Sequence, residues 1–172
     1  MDIIDFAMQM EVDGKAFYEK HAALTKDPDL KEILVTLAEE EDRHYRFFKS
    51  LKKEPHALLS ADTFSAPDTI ARVQNIFQEM AQQQKATAFG NDTVSIWTEA
   101  LRIEDRAVKF YTEKADAEPN ADRKALLLRI AKEEASHVHM IDAVLMYLKH
   151  PQAFADSVQY RDFQSLEGRR PE

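Results

Sequence analysis
Ala38-Glu39-Glu40-Glu41-Asp42-Arg43-His44 is the stretch on which the reading of this chain turns, because Ala131-Lys132-Glu133-Glu134-Ala135-Ser136-His137 repeats its frame. Both end in Glu-x-x-His, as Glu41 with His44 and Glu134 with His137. A lone glutamate stands upstream of each, Glu11 before the first and Glu104 before the second. Adding 93 to 11, 41 and 44 gives 104, 134 and 137, and the same offset carries Phe17-Tyr18 onto Phe110-Tyr111, Ala38 onto Ala131 and Glu40 onto Glu133. A fixed internal period marks a repeated structural unit. The unit here is a helical hairpin, present twice.

Working outward, apolar residues recur at helical spacing on both sides of each motif. The first helix is expected from about Asp2 to Leu24, with Ile3, Ile4, Ala7, Met10, Glu11, Gly14, Phe17 and Tyr18 inward. Thr25-Lys26-Asp27-Pro28 reads as a turn. A second helix is expected from about Asp29 to Lys52, with Leu30, Ile33, Leu34, Leu37, Glu41, His44, Phe48 and Leu51 on one face. The next hairpin starts after Gly90, capped by Asn91 or Asp92, and buries Val94, Trp97, Leu101, Glu104, Val108 and Tyr111. Ala117-Glu118-Pro119-Asn120 is its turn, and the last long helix runs from Ala121 to Lys149 with Leu127, Ile130, Ala131, Glu134, His137, Ile141, Val144 and Leu148 inward. Residues 53–91 form a crossover, irregular from Pro55 to Pro67 and helical from Asp68 to about Lys85. Such a helix is about 27 Å long at ~1.5 Å per residue, enough to run the length of a bundle. Residues 1–150 are therefore expected as one all-α domain, followed by an amphipathic segment and frayed tail over 151–172.

The six motif residues should meet. The midpoint of 11 and 41 is 26, inside the first turn; the midpoint of 104 and 134 is 119, inside the second. Residues equidistant from a turn stand at equal height on antiparallel helices, so Glu11 faces Glu41 and Glu104 faces Glu134. Spacing of i to i+3 places each imidazole on the face of its glutamate. Four buried carboxylates without partners would be very costly, and such groups stay inside only if paired, protonated or bound to metal. Lys15, Arg43, Arg102, Arg106 and Lys109 all fall off the predicted inward stripes. Two divalent ions would balance four carboxylates, and each imidazole adds a nitrogen ligand suited to a transition metal.

Composition excludes much else. The 172 residues include 3 Gly, 6 Pro and no Cys, which favours helix and rules out disulfides, thiolate metal sites and a cysteine nucleophile. The lack of Cys is compatible with a cytoplasmic location. A formal charge of -8 argues against nucleic-acid and anionic-membrane partners. Met1-Asp2-Ile3-Ile4-Asp5 lacks the basic start and apolar run of a signal peptide, and no apolar stretch approaches the ~18 residues that cross a bilayer.

The pattern Glu11, Glu41-x-x-His44, Glu104, Glu134-x-x-His137, with Tyr18 and Tyr111 seven residues after the lone glutamates, resembles the ferritin-like superfamily and within it the rubrerythrin-like di-iron proteins. The resemblance covers about residues 2–149 outside the crossover. It implies a ferritin-like four-helix bundle, with one long crossover and a short C-terminal helix, around a carboxylate-bridged pair of iron ions. Glu41 and Glu134 would bridge, and Glu11, His44, Glu104 and His137 would be terminal ligands. Zinc or manganese could occupy the same ligands after purification. The implied activity is reduction of peroxide or dioxygen, a small oxidant, with electrons from an external donor such as a rubredoxin-type protein. The alternatives are iron oxidation and storage, and a structural zinc bundle without turnover. Two departures stand out. Rubrerythrins typically carry a further glutamate three residues after the third-helix ligand, where this chain has Ala107, mirrored by Gly14. They also usually carry a cysteine-rich electron-transfer domain, absent from this sequence. Quinone hydroxylases of the same superfamily share the ligand pattern, but no membrane-binding stripe is evident here.

Other residues admit two readings each. Tyr18 and Tyr111 either hydrogen-bond ligand carboxylates or are ordinary core tyrosines. Gly14 and Ala107 either leave room for a small oxidant or allow close helix packing. Glu39, Glu40 and Glu133 are expected on a solvated edge, with Glu40 or Glu133 as the alternative entry point for cations. His21, His56, His139 and His150 are expected at the surface or at helix ends. Phe154, Tyr160, Phe163 and Leu166, with the crossover helix, either form a homodimer surface or cap the bundle.

Overall fold
The computed structural model describes residues 3–53, 67–83 and 90–160. These form α1 (Ile3–Leu24), α2 (Pro28–Lys53), α3 (Pro67–Gln83), α4 (Asn91–Ala117), α5 (Ala121–Lys149) and α6 (Pro151–Tyr160). There is no strand among the described residues, so the chain is all-α as expected. Two compact units are distinguished, Met1–Thr69 with Pro119–Arg123, and Ile70–Glu118 with Lys124–Glu172.

In the first unit α1 packs against α2. The turn between them is set by Asp27, whose Oδ1 accepts from the backbone N–H of Asp29 and of Leu30, each at 3.0 Å. Pro28 therefore falls at the first helical position, where its missing N–H and fixed φ cost nothing. The helix thus starts one residue before the expected Asp29. All eight residues expected on the inner face of α2 are buried, joined by Thr36, Ala38, Glu40 and Phe47. On α1 the buried set is narrower than expected: Ala7, Glu11, Gly14, Tyr18 and Ala22. Ile3, Ile4, Met10 and Phe17 are only half-buried. The close contact is made by small residues, with Glu11 and Tyr18 supplying the bulk.

The second unit contains the matching hairpin of α4 and α5. Asn120 caps α5, accepting from the N–H of Arg123 at 2.9 Å. Asp116 and Lys124, on either side of the turn, approach to 3.9 Å. The expected cap of α4 is corrected: Gly90 is the N-cap, with extended backbone (φ -64, ψ 156) and no side-chain cap bond. Its carbonyl accepts from the N–H of Thr93 at 3.0 Å. Asn91 and Asp92 lie inside the helix, where the Asp92 charge favours the positive end of the helix dipole. Val94, Leu101 and Val108 are half-buried, and the inner face is instead Trp97, Ala100, Glu104, Ala107, Tyr111 and Ala115.

α3 buries Val73, Ile76, Phe77, Met80 and Ala81. Phe154 of α6 is 1% exposed, with ring centroids 5.7 Å from Phe77 and 5.3 Å from Tyr147. That corrects its assignment to a dimer surface: an aromatic this enclosed has no area left for a second copy. Phe163, Leu166, the C-terminal tail, residues 54–66 of the expected irregular stretch and the expected helix end at Lys85 lie outside the described residues. No described helix is long and apolar enough to cross a membrane.

Candidate functional site
The first hairpin draws its donors from two helices. Glu11 is at mid-length on α1; Glu41 and His44 share one face of α2, one turn apart. Nδ1 of His44 lies 3.5 Å from Oε2 of Glu11. Glu41 turns its carboxylate onto Gly14, one turn beyond Glu11; a Cβ built on Gly14 would stand 3.1 Å from Glu41 Oε2 and 3.2 Å from its Cδ. The space over Gly14, one reading of which was room for an oxidant, is thus filled by a ligand candidate. Close approach is what the glycine permits.

The second hairpin repeats the arrangement. Nδ1 of His137 lies 3.1 Å from Glu134 Oε2, one turn back on α5, and 3.6 Å from Glu104 Oε2 on α4. One donor atom from each of Glu104, Glu134 and His137 lies within 4.8 Å of the others, a spacing at which all three could hold one ion. Burial opposes charge on the His137 imidazole. Attraction to Glu104 and Glu134, whose carboxylates face it at 3.6 and 3.1 Å, outweighs it and pushes its pKa up to about 10. A proton held there partly neutralises the carboxylates, as a cation would.

Across the two hairpins the six residues are between 0 and 4% exposed. Carboxylates and imidazoles are hard-to-intermediate donors that suit iron, manganese or zinc. Tyr18 and Tyr111 are fully buried. Each meets the preceding phenylalanine edge-on, Phe17 at 5.5 Å and Phe110 at 5.2 Å between centroids. Both belong to the core beside the donors, which is compatible with either of their readings.

Among the glutamates beside the motif, Glu39 stands as expected and Glu40 does not. Glu39 is exposed and Glu133 half-buried, the latter 3.7 Å from Arg129. Glu40 is 7% exposed, not on a solvated edge. It pairs with Arg43, one turn along α2, and accepts from the Thr69 hydroxyl at 2.9 Å. Arg43 is half-buried for the same reason. The repeat flagged Glu40 through its match to Glu133, but no spacing pointed to Thr69. His21 is half-buried, its ring 4.4 Å from that of Phe17. Burial, with Lys20 nearby, holds its pKa below 6.5. His139 and His150 are exposed as expected, and His56 lies outside the described residues.

No curated protein and no solved structure matched the chain. A family model did: that of the ferritin-like domain, over residues 1–147. That span takes in both hairpins and all six buried acid and imidazole groups. An all-α chain with this duplicated, buried Glu and Glu-x-x-His register, matched over most of its length, belongs to the ferritin-like domain family.

Proposed function
We propose that the two triads jointly hold a pair of iron ions, and that the protein is a rubrerythrin-like oxidoreductase that reduces peroxide or dioxygen with electrons from a separate donor. The observation that carries this reading is the burial, at mirrored positions, of four carboxylates and two imidazoles. Groups of that kind kept from water need a cationic partner, and two divalent ions match their number and charge. Glu11, Glu41, His44, Glu104, Glu134 and His137 would hold them. Bound as a pair, the metals supply two electrons together, the number needed to reduce one O–O bond of hydrogen peroxide to two waters with two protons.

The chain's own contribution is geometry, charge and exclusion of water. Glu11 and Glu104 reach their imidazoles from the neighbouring helix of each hairpin, so ligand position is held by helix packing rather than by a loop. Tyr18 and Tyr111 are fully buried on the same helical faces as Glu11 and Glu104, two turns away. Glu104 and Glu134 face His137 Nδ1 at 3.6 and 3.1 Å, and that atom must be free of a proton before it can bind an ion.

Metal analysis of protein purified from its own host, followed by a visible spectrum, tests the reading. Two irons per chain with oxo-bridged di-iron(III) absorption are expected. Stopped-flow oxidation of the anaerobically reduced protein should then be faster with hydrogen peroxide than with dioxygen. Zinc alone, or many irons per chain with negligible peroxide reactivity, would replace it with a structural or a storage role.

A further inference from the structure
We propose that Gly14 is the seat of the Glu41 carboxylate and thereby sets how tightly Glu41 holds metal, an inference that rests on the metal-binding reading above. A glycine inside α1 is a poor choice for helix stability, and Gly14 is buried with ordinary helical neighbours on both sides. What it provides is room. A Cβ at this position would meet Glu41 Oε2 at 3.1 Å, Cδ at 3.2 Å and Cγ at 3.5 Å, and contacts under 3.4 Å require the neighbour to give by a few tenths of an ångström. Metal–ligand distances tolerate only about ±0.2 Å. The displacement a methyl group would force on the carboxylate is therefore as large as the whole tolerance of a coordination bond.

The matching position of the second hairpin, Ala107, carries the methyl group that Gly14 lacks.

Cobalt(II) titration of metal-free wild type, Gly14→Ala and Ala107→Gly, read by calorimetry and visible absorption, tests this alongside thermal melts of the metal-free forms. Gly14→Ala should weaken cobalt binding about tenfold, the scale seen when groups supporting a ligand are changed. Ala107→Gly should leave cobalt binding as it was while lowering the melting temperature. An interior Gly→Ala change ordinarily raises stability. Gly14→Ala should bring no such gain in the wild-type background, but should bring it when Glu41 is also alanine. Cobalt affinity in Gly14→Ala equal to or tighter than wild type, an equal loss in Ala107→Gly, or a full stability gain with Glu41 present would each overturn the proposal. If wild type binds no cobalt, the metal reading itself fails, and the melts alone still decide whether Glu41 sits on Gly14.

Discussion

The two hairpins bury the same register and surround it differently. Adding 93 to each buried residue of α1 (Ala7, Glu11, Gly14, Tyr18 and Ala22) lands on a buried residue of α4, namely Ala100, Glu104, Ala107, Tyr111 and Ala115. The helix ends correspond too: Leu24 with Ala117, and Pro28 with Ala121. Even the caps match, since Asp27 receives the N–H of Leu30 and Asn120 that of Arg123. Outside the shared face the match fails. Lys15 and Asp42 form a 2.8 Å ion pair between α1 and α2, where the second hairpin has Val108 and Ala135. The Lys15 hydrogen bond holds the Asp42 carboxyl below its usual range. What the repeat preserves is the face that carries the acids and imidazoles. What it lets vary is how each hairpin is pinned from outside.

The largest test of that equivalence is metal loading. If Glu41 and Glu134 play one role and His44 and His137 another, the variants should group by role and not by hairpin. Glu41→Ala and Glu134→Ala should each disturb both ions, whereas His44→Ala and His137→Ala should each cost mainly one, by metal-to-protein ratio. Loading should also raise the stability of wild type by about 4 kcal/mol at a thousandfold excess over the dissociation constant. Equal melting of verified apo and loaded protein would break the comparison at its centre.

Glu40 and Glu133 sharpen it next. They occupy matching positions, but Glu40 is buried between Arg43 and Thr69, while Glu133 meets Arg129 at 3.7 Å in a half-exposed pair. Glu40→Ala removes the acceptor from a half-buried hydroxyl and a half-buried guanidinium, and should cost about 1–2 kcal/mol. Glu133→Ala should cost no more than about 0.5 kcal/mol. Chemical denaturation of the two variants measures the difference. Equal costs would show that the match of position outweighs the difference in surroundings.

The caps come third. Asp27, a charged acceptor, takes the backbone N–H groups of Asp29 and Leu30 at 3.0 Å, whereas Asn120, a neutral one, takes that of Arg123 at 2.9 Å. Asp27→Ala should therefore cost about 1–2 kcal/mol and Asn120→Ala about 0.5–1 kcal/mol. The same denaturation series reads both.

The order of these effects follows what was legible before the structure. The hairpins, their turns and the inward direction of Glu11, Glu41, His44, Glu104, Glu134 and His137 could be read because period and spacing encode them directly. The width of the buried stripe on α1 and α4 could not. Apolar spacing marks Ile4, Met10 and Leu101 as inward, but how close two helices come depends on the small residues between them, here Ala7, Gly14, Ala100 and Ala107. Glu40 was misplaced for a related reason. Its burial depends on Thr69, a contact made across 29 positions, and no local pattern reports such a partner. The amphipathic spacing around Phe154 leaves a dimer surface and a cap equally open, and only its contacts with Phe77 and Tyr147 favour burial within the chain.

The smallest expected effect lies where the repeat breaks within an aromatic pair. Phe17 meets His21 at 4.4 Å; the matching Phe110 meets the ammonium of Lys114 at 5.4 Å. Histidine is the side chain whose charge changes near neutrality. Burial, and to a lesser degree Lys20, lower the His21 pKa below 6.5 in the folded chain. Above pH 6.5 neither state binds a proton there, and the contribution of His21 is fully present. As pH falls, the unfolded chain takes up the proton first, so the folded state loses stability until the folded pKa is passed. His21→Gln should abolish that loss. The wild-type-minus-variant stability, from urea denaturation of metal-free protein between pH 7.5 and 5, should decline with falling pH while contributions from other groups cancel. Lys114→Gln should show no slope in the same window. A flat difference for His21 would mean that its ring is as well solvated folded as unfolded, and that the two aromatic pairs are equivalent after all.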